Sequence, residues 1–291
     1  MFSPGPPLKE IFSHMTNIFL YLALAAYFAA TALWLAFFLA QRESYCRVGA
    51  WVMAGGLLFH TLALIQRTWS HGYLPVATFG DALLVFDWAL VAAFLFLNWR
   101  VPIKVLGALA APMAALMVCA SFILPSGKGV VSPTLQSVWL VIHIGLALLG
   151  YAAFTLAFLG GIFYLIQERQ IKGKKFGFFY RRLPSLEQLD GLNYWCLAIG
   201  FPLLTGGIIS GSLYAQHALG RFWSWDPKEV LTLIAWLIYA VLLHERLTVG
   251  WRGRRAALLA ICGFLVLVIT FVGANLWITG YHSFDSFLRR P

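Results

Sequence analysis

The residues best suited to chemistry stand in one short run, Gly220-Arg221-Phe222-Trp223-Ser224-Trp225-Asp226-Pro227-Lys228-Glu229. Two tryptophans in three positions, followed at once by a helix start, could form a flat aromatic platform for a planar ligand. The same run also has a local reading. Asp226 suits an N-cap, Pro227 the first helical position, and Glu229 the third position of a capping box, with Trp223 and Trp225 as interfacial aromatics. The histidines bear on this choice. Neutral imidazole is a common axial ligand of haem iron, and two opposed rings give a six-coordinate centre. His143 and His282 are candidates for such a pair, although a single histidine near a helix end is also an ordinary hydrogen-bonder.

The elements that must position these groups are membrane helices. Of 291 residues, 61% are hydrophobic and 11% charged, far from the roughly 25% charged of a soluble domain. Apolar runs near 20 residues recur, where a β-barrel would show alternating strands of about ten. The expected fold is an all-α bundle of eight transmembrane helices forming one domain over 1–291. The spans are expected near 15–40, 47–66, 80–98, 102–124, 135–167, 193–216, 229–247 and 255–279. The first run lacks the basic start and short apolar core of a cleaved signal and is read as a retained helix.

The formal charge of +10 is distributed as topology rather than as a nucleic-acid surface. Fourteen of the 21 Lys and Arg residues fall in alternate loops, including Arg42, Arg100, Lys174, Arg181 and Arg254. By the positive-inside rule those loops face the cytoplasm, and both termini lie outside. The basic segment at about 168–192 mixes cations with Phe176, Phe178 and Phe179, as an interfacial stretch does. Four separated cysteines offer neither a redox motif nor a zinc site.

On this topology His143 and His282 share the outer face with the Trp-rich loop, about 217–229. His244 lies fifteen residues beyond Glu229, about 22 Å along a helix, toward the cytoplasmic side. Ionisable residues within spans usually face a site or cavity, although Glu245 and Arg246 also allow a helix-end salt bridge. His60 is expected in the outer half of the second span, too far from His244 in depth to pair easily, so a second ligand for His244 is expected from another subunit. Asp81 and Asp87 could orient a ligand, with Asp81 equally a helix-terminal anion. Gly207 and Gly211 have the spacing of close helix packing. His14 and His217 have no evident partners.

Several words now resemble a known family. They are LPSLEQLDGLNY at 183–194, GFPLLTGGIISG at 200–211, GRFWSWDPKE at 220–229, LIAWLIYAVLLHERL at 233–247, GWRGRRAA at 250–257 and TGYHSF at 279–284, with looser matches at 71–83 and 139–154. Together they resemble the CcsA/ResC family of cytochrome c biogenesis proteins, within the haem-handling group named for a Trp-Trp-Asp motif. Leu219 and Leu231 stand where the family commonly has Trp, and Thr78-Phe79-Gly80-Asp81 replaces its Asn-x-Tyr-Glu word.

The resemblance implies that His143 and His282 coordinate haem b at an outer site flanked by Gly220, Phe222, Trp223, Trp225 and Asp226. It also implies that His244 is an intramembrane ligand whose partner comes from a CcsB/ResB-like membrane protein. Haem would be presented there for thioether attachment to a CxxCH apocytochrome c, with Trp223, Trp225 and Asp226 carrying the catalytic role. The bilayer is a bacterial inner membrane or a thylakoid. The rival readings are a bis-His electron-transfer cytochrome and a haem exporter or assembly scaffold without chemistry of its own. No nucleic-acid partner is expected.

Overall fold

A computed structural model describes residues 6–101, 103–124, 130–131, 137–273 and 288–289. Nine α-helices appear among them: α1 (Pro6–Ala40), α2 (Glu43–His71), α3 (Phe79–Arg100), α4 (Gly107–Ile123, preceded by a 3-10 turn at Lys104–Leu106), α5 (Val138–Lys172), the short α6 (Phe178–Arg182), α7 (Leu186–Leu219), α8 (Pro227–Thr248) and α9 (Arg254–Val268, continued as a π turn over Ile269–Gly273). All but α6 belong to stretches long and apolar enough to cross a bilayer, eight spans in all, as the hydropathy predicts. Outside the helices, Val130–Val131 pairs antiparallel with Leu288–Arg289. The chain divides into two compact units, one holding residues 1–96, 107–141 and 284–291, the other residues 97–106 and 142–283.

In the first unit the two N-terminal helices meet along a heptad seam. Buried positions on α1 are Leu20, Ala23, Tyr27, Ala30, Trp34 and Phe37; on α2 they include Cys46, Gly49, Met53, Gly56, His60 and Ala63. Both sets step by alternating threes and fours, the spacing that keeps one stripe of each helix facing its neighbour. Apolar lipid gives little drive to associate apolar helices, so close packing must hold them together. Large rings on α1 fill notches at glycines: a Cβ on Gly56 would lie 2.7 Å from the Tyr27 ring, and one on Gly107 of α4 would lie 2.2 Å from Trp34. Phe94 of α3 meets Trp34 edge-on at 5.6 Å.

The loop between α2 and α3 is fixed at both ends. Gly72 closes α2 in the left-handed conformation (φ 78°). Thr78 Oγ1 accepts from the Asp81 N–H at 3.2 Å and donates to Asp81 Oδ2 at 2.9 Å, while Arg67 reaches Asp81 Oδ1 at 2.8 Å. Asp81 is thus the helix-terminal anion that its position suggests.

In the second unit α5 and α7 run antiparallel with glycine at each close approach. A Cβ on Gly200 would meet Phe154 at 3.0 Å, on Gly207 the backbone of Ala147 at 3.1 Å, and on Gly211 the ring of His143 at 2.5 Å. These pairs step in opposite directions along the two helices, so the α7 glycines set the register that places His143. Tyr239 of α8 stacks on Phe154 at 3.6 Å and closes over Gly263 of α9. At the other end of α7, Arg246 of α8 binds both carboxylate oxygens of Asp190, at 2.5 and 3.2 Å, and Asp190 also takes the Gly253 N–H at 2.6 Å. The helix-end salt bridge expected near His244 therefore joins α8 to α7, because the Arg246 side chain crosses to Asp190.

Candidate functional site: a seated histidine and a clamped tryptophan loop

His143 lies in the second turn of α5, where Gly207 and Gly211 of α7 present bare backbone. Its Nδ1 is 2.7 Å from the Gly207 carbonyl oxygen. A carbonyl only accepts, so Nδ1 must carry the hydrogen, and in the neutral ring Nε2 then holds the lone pair. This is the tautomer in which metal-ligating histidines are held by a second hydrogen bond. The ring fits only because Gly211 has no side chain. The small-residue spacing on α7 therefore has a double use, helix approach and a seat for imidazole.

The tryptophan loop begins nine residues beyond Gly211, where Gly220 ends α7 in the left-handed region at φ 72°. Asp226 is the N-cap of α8, accepting from the Lys228 N–H at 2.9 Å, with Pro227 in the first turn. The expected capping box reaches further back than predicted. Glu229 accepts from Ser224 N–H and Ser224 Oγ, both at 2.8 Å, so its carboxylate clamps the loop between the two tryptophans. Hydrogen bonds to an ionised carboxylate are among the stronger ones in proteins.

The loop does not make one flat platform. Trp223 and Trp225 stand edge-to-face, 6.1 Å between centroids with planes at 85°. Trp225 occupies the left-handed region at φ 58°, an uncommon conformation for a residue with a large side chain. Trp225 is 75% exposed and Phe222 57%, so both present apolar faces at the loop. Trp223 is partly covered, and its buried Nε1 has no hydrogen-bond partner among the described residues.

His282 lies outside the described residues, as does the stretch from 274 to 281 that leads to it. His143 lies five residues into α5, and the register with α7 brings it to the end of this unit where the tryptophan loop sits. His244 is exposed on α8, seventeen residues beyond Pro227, about 26 Å of helix away at the opposite end. His217 is exposed in the last turn of α7, three residues before Gly220. Asp87 and His60, read separately in the sequence, come together in the first unit with Tyr27: His60 Nδ1 is 3.3 Å from the Tyr27 hydroxyl and 3.8 Å from Asp87 Oδ2. Among the described residues no three His, Cys, Asp or Glu side chains cluster as a metal site.

Residues 77–282 match the protein family described as Cytochrome C assembly protein. The chain is 36% identical to the cytochrome c biogenesis protein CcsA of Prochlorococcus marinus (strain NATL1A), over 91% of this chain and 94% of that one. It is 34% identical to the CcsA of Prochlorococcus marinus (strain MIT 9303), over 98% and 99%, and 35% identical to that of Pyropia yezoensis, over 77% and 82%. Among solved structures, the cytochrome c haem lyase CcmF superposes with a TM-score of 0.64 at 17% identity, which shows a shared fold. The superposition covers 94% of this chain and 48% of CcmF, so this chain spans about half the length of that protein. With its eight membrane-spanning helices and its WSWDPKE loop, the chain belongs to the cytochrome c assembly protein family, within the CcsA group.

Proposed function

We propose that this integral membrane protein serves cytochrome c assembly by holding haem b, its substrate, at the tryptophan-loop end of the second unit. There it presents haem for thioether attachment to a CxxCH apocytochrome c. The observation that carries the reading is the seat of His143: Nδ1 is fixed on the Gly207 carbonyl, which leaves Nε2 as the ligating nitrogen. His282 supplies the opposing imidazole in this reading. Phe222 and Trp225 offer exposed faces to the porphyrin or to the incoming peptide, and Trp223 Nε1 donates to a polar group of the substrate.

The chemistry asks little of the protein beyond placement. Addition of a cysteine S–H across a haem vinyl forms one C–S bond and puts the thiol hydrogen on the other vinyl carbon, with no leaving group and no external oxidant. Holding the vinyl within reach of a reduced thiol supplies proximity and orientation. The clamp of Glu229 on Ser224 limits loop motion during that encounter.

His244 receives haem at the opposite end, with a second ligand from a separate CcsB/ResB-like subunit; its exposure on α8 supports an intermolecular contact. His143→Ala and His282→Ala should each abolish stable haem absorption from the tryptophan-loop site in the purified complex, leaving that of the His244 site. Full haem retention by both variants would overturn the ligand assignment. Transfer of haem to a co-expressed CxxCH peptide separates this reading from an electron-transfer cytochrome, which retains its haem, and from a scaffold without chemistry.

A further inference from the structure

We infer that Tyr27, His60 and Asp87 form a membrane-embedded site in the first unit that holds one water molecule and one transferable proton, separate from haem ligation. His60 and Asp87 are both 0% exposed. His60 Nε2 and both Asp87 oxygens are buried with no hydrogen-bond partner among the described residues, leaving three strong polar atoms unsatisfied in one place. Buried polar groups in native proteins are almost always paired, by protein or by ordered water. No other described residue pairs these. His60 Nδ1 faces the Tyr27 hydroxyl, and its 3.8 Å approach to Asp87 is too long for a direct hydrogen bond. A water, with two donors and two acceptor lone pairs, suits the orphaned set.

The surroundings are rigid and apolar. His60 occupies a heptad-seam position of α2, one turn beyond the Gly56 notch that admits the Tyr27 ring. The next residues along, Thr61 and Trp88, tie α2 to α3 through a Trp88 Nε1–H to Thr61 Oγ1 bond of 2.8 Å. Among the described residues no other charge reaches this level. Tyr27 is the titratable group that α1 presents here, and α4 has no charged residue between Gly107 and Ile123. On α2 and α3 the next charges, Arg67 and Asp81, neutralise each other.

Charge cost fixes the proton count. A carboxylate beside neutral imidazole would leave a bare negative charge in the bilayer interior, costing several kcal/mol. A carboxylate–imidazolium pair would need direct hydrogen-bonded contact, which the separation denies. The resting pair is therefore carboxylic acid and neutral imidazole, bridged by water. Transfer breaks the Asp87 O–H bond and forms a His60 N–H bond through the water, giving a transient imidazolium and carboxylate, higher in energy than the resting pair, with no change in net charge. The first unit thus carries a proton that can respond to charge moving nearby.

The test uses the full chain in lipid bilayers. Infrared difference spectra between wild type and Asp87→Asn should show a protonated-carboxyl stretch in the wild type alone at neutral pH, shifted by His60→Gln, together with a water band that moves in heavy-oxygen water. A wild-type spectrum with only carboxylate at this position, or no water band lost in Asp87→Asn, overturns the assignment. Unmodified protein gives an independent reading. Phe59-His60 is the one Phe–His pair in the sequence, so labelling phenylalanine carbonyl carbon and histidine nitrogen singles out His60 by magnetic resonance. A neutral ring is the expected result; a resting imidazolium refutes the proposal even if every variant fails to fold. Neither readout depends on bound haem.

Discussion

Gly211→Ala asks directly whether the seat of His143 matters. The added Cβ would lie 2.5 Å from Nδ1 and 2.6 Å from Cε1 of the His143 ring. Ordinary carbon contacts sit at about 3.5 Å or more, so the ring has to move by about 1 Å. That displacement breaks its 2.7 Å bond to Gly207. The lost bond costs about 1 kcal/mol and overpacking of this kind about 1–3 kcal/mol. Loss of a bond that orients a metal ligand typically lowers affinity by about 10- to 100-fold. Haem titration of the purified complex, followed by absorption, should show a weakening of that order. Gly145→Ala is the matched control, because a Cβ there meets nothing within 4 Å. Equal haem affinity in Gly211→Ala, Gly145→Ala and wild type would refute the claim that the seated ring is a ligand. A fall in both variants would also refute it, since only one of them touches the ring.

Glu229→Gln keeps an acceptor but removes the charge that strengthens the clamp, and should loosen the loop by about 1–2 kcal/mol. Hydrogen exchange at the Ser224 amide should rise about tenfold while helix content stays constant; unchanged exchange would contradict the clamp. Asp190→Asn strands the Arg246 guanidinium, whose side chain is 7% exposed, and buried pairs broken this way cost about 3–5 kcal/mol. Thermal unfolding should shift down by several degrees, and an unchanged midpoint would count against the pair as a tie between α7 and α8. Gly107→Ala should destabilise the first unit because its Cβ would enter the Trp34 ring, and Trp34→Leu should relieve that cost, so the double variant is more stable than the single variants predict additively. Additive effects would mean that the notch is not what holds Trp34.

The eight spans were legible because each is a predominantly apolar run about as long as a bilayer needs or longer, and hydropathy alone marks their centres. The WSWDPKE run was legible as a helix start with something left over, since caps use local chemistry that the chain order displays. Three features were hidden for a common reason: each depends on contacts set by backbone geometry or helix register, which chain order does not display. The reach of Glu229 to Ser224 depends on the left-handed turn at Trp225. The seat of His143 depends on an antiparallel register that no local spacing in α5 reveals, although the glycines at 200, 207 and 211 carry its trace. The meeting of Tyr27, His60 and Asp87 required three helices. Its signal was the alternation of threes and fours that places Tyr27 and His60 on buried stripes of α1 and α2.

The central claim is that haem held at the His143 end is delivered covalently to an acceptor. Its most direct test is co-expression of the chain with a CcsB/ResB-like partner and a CxxCH apocytochrome, followed by measurement of thioether-linked haem on the acceptor by denaturing electrophoresis with haem-dependent peroxidase staining. Wild type should yield covalent haem on the acceptor and His143→Ala almost none, at equal amounts of assembled complex. Undiminished covalent haem with His143→Ala, or none with the wild type when haem is bound, would contradict the account.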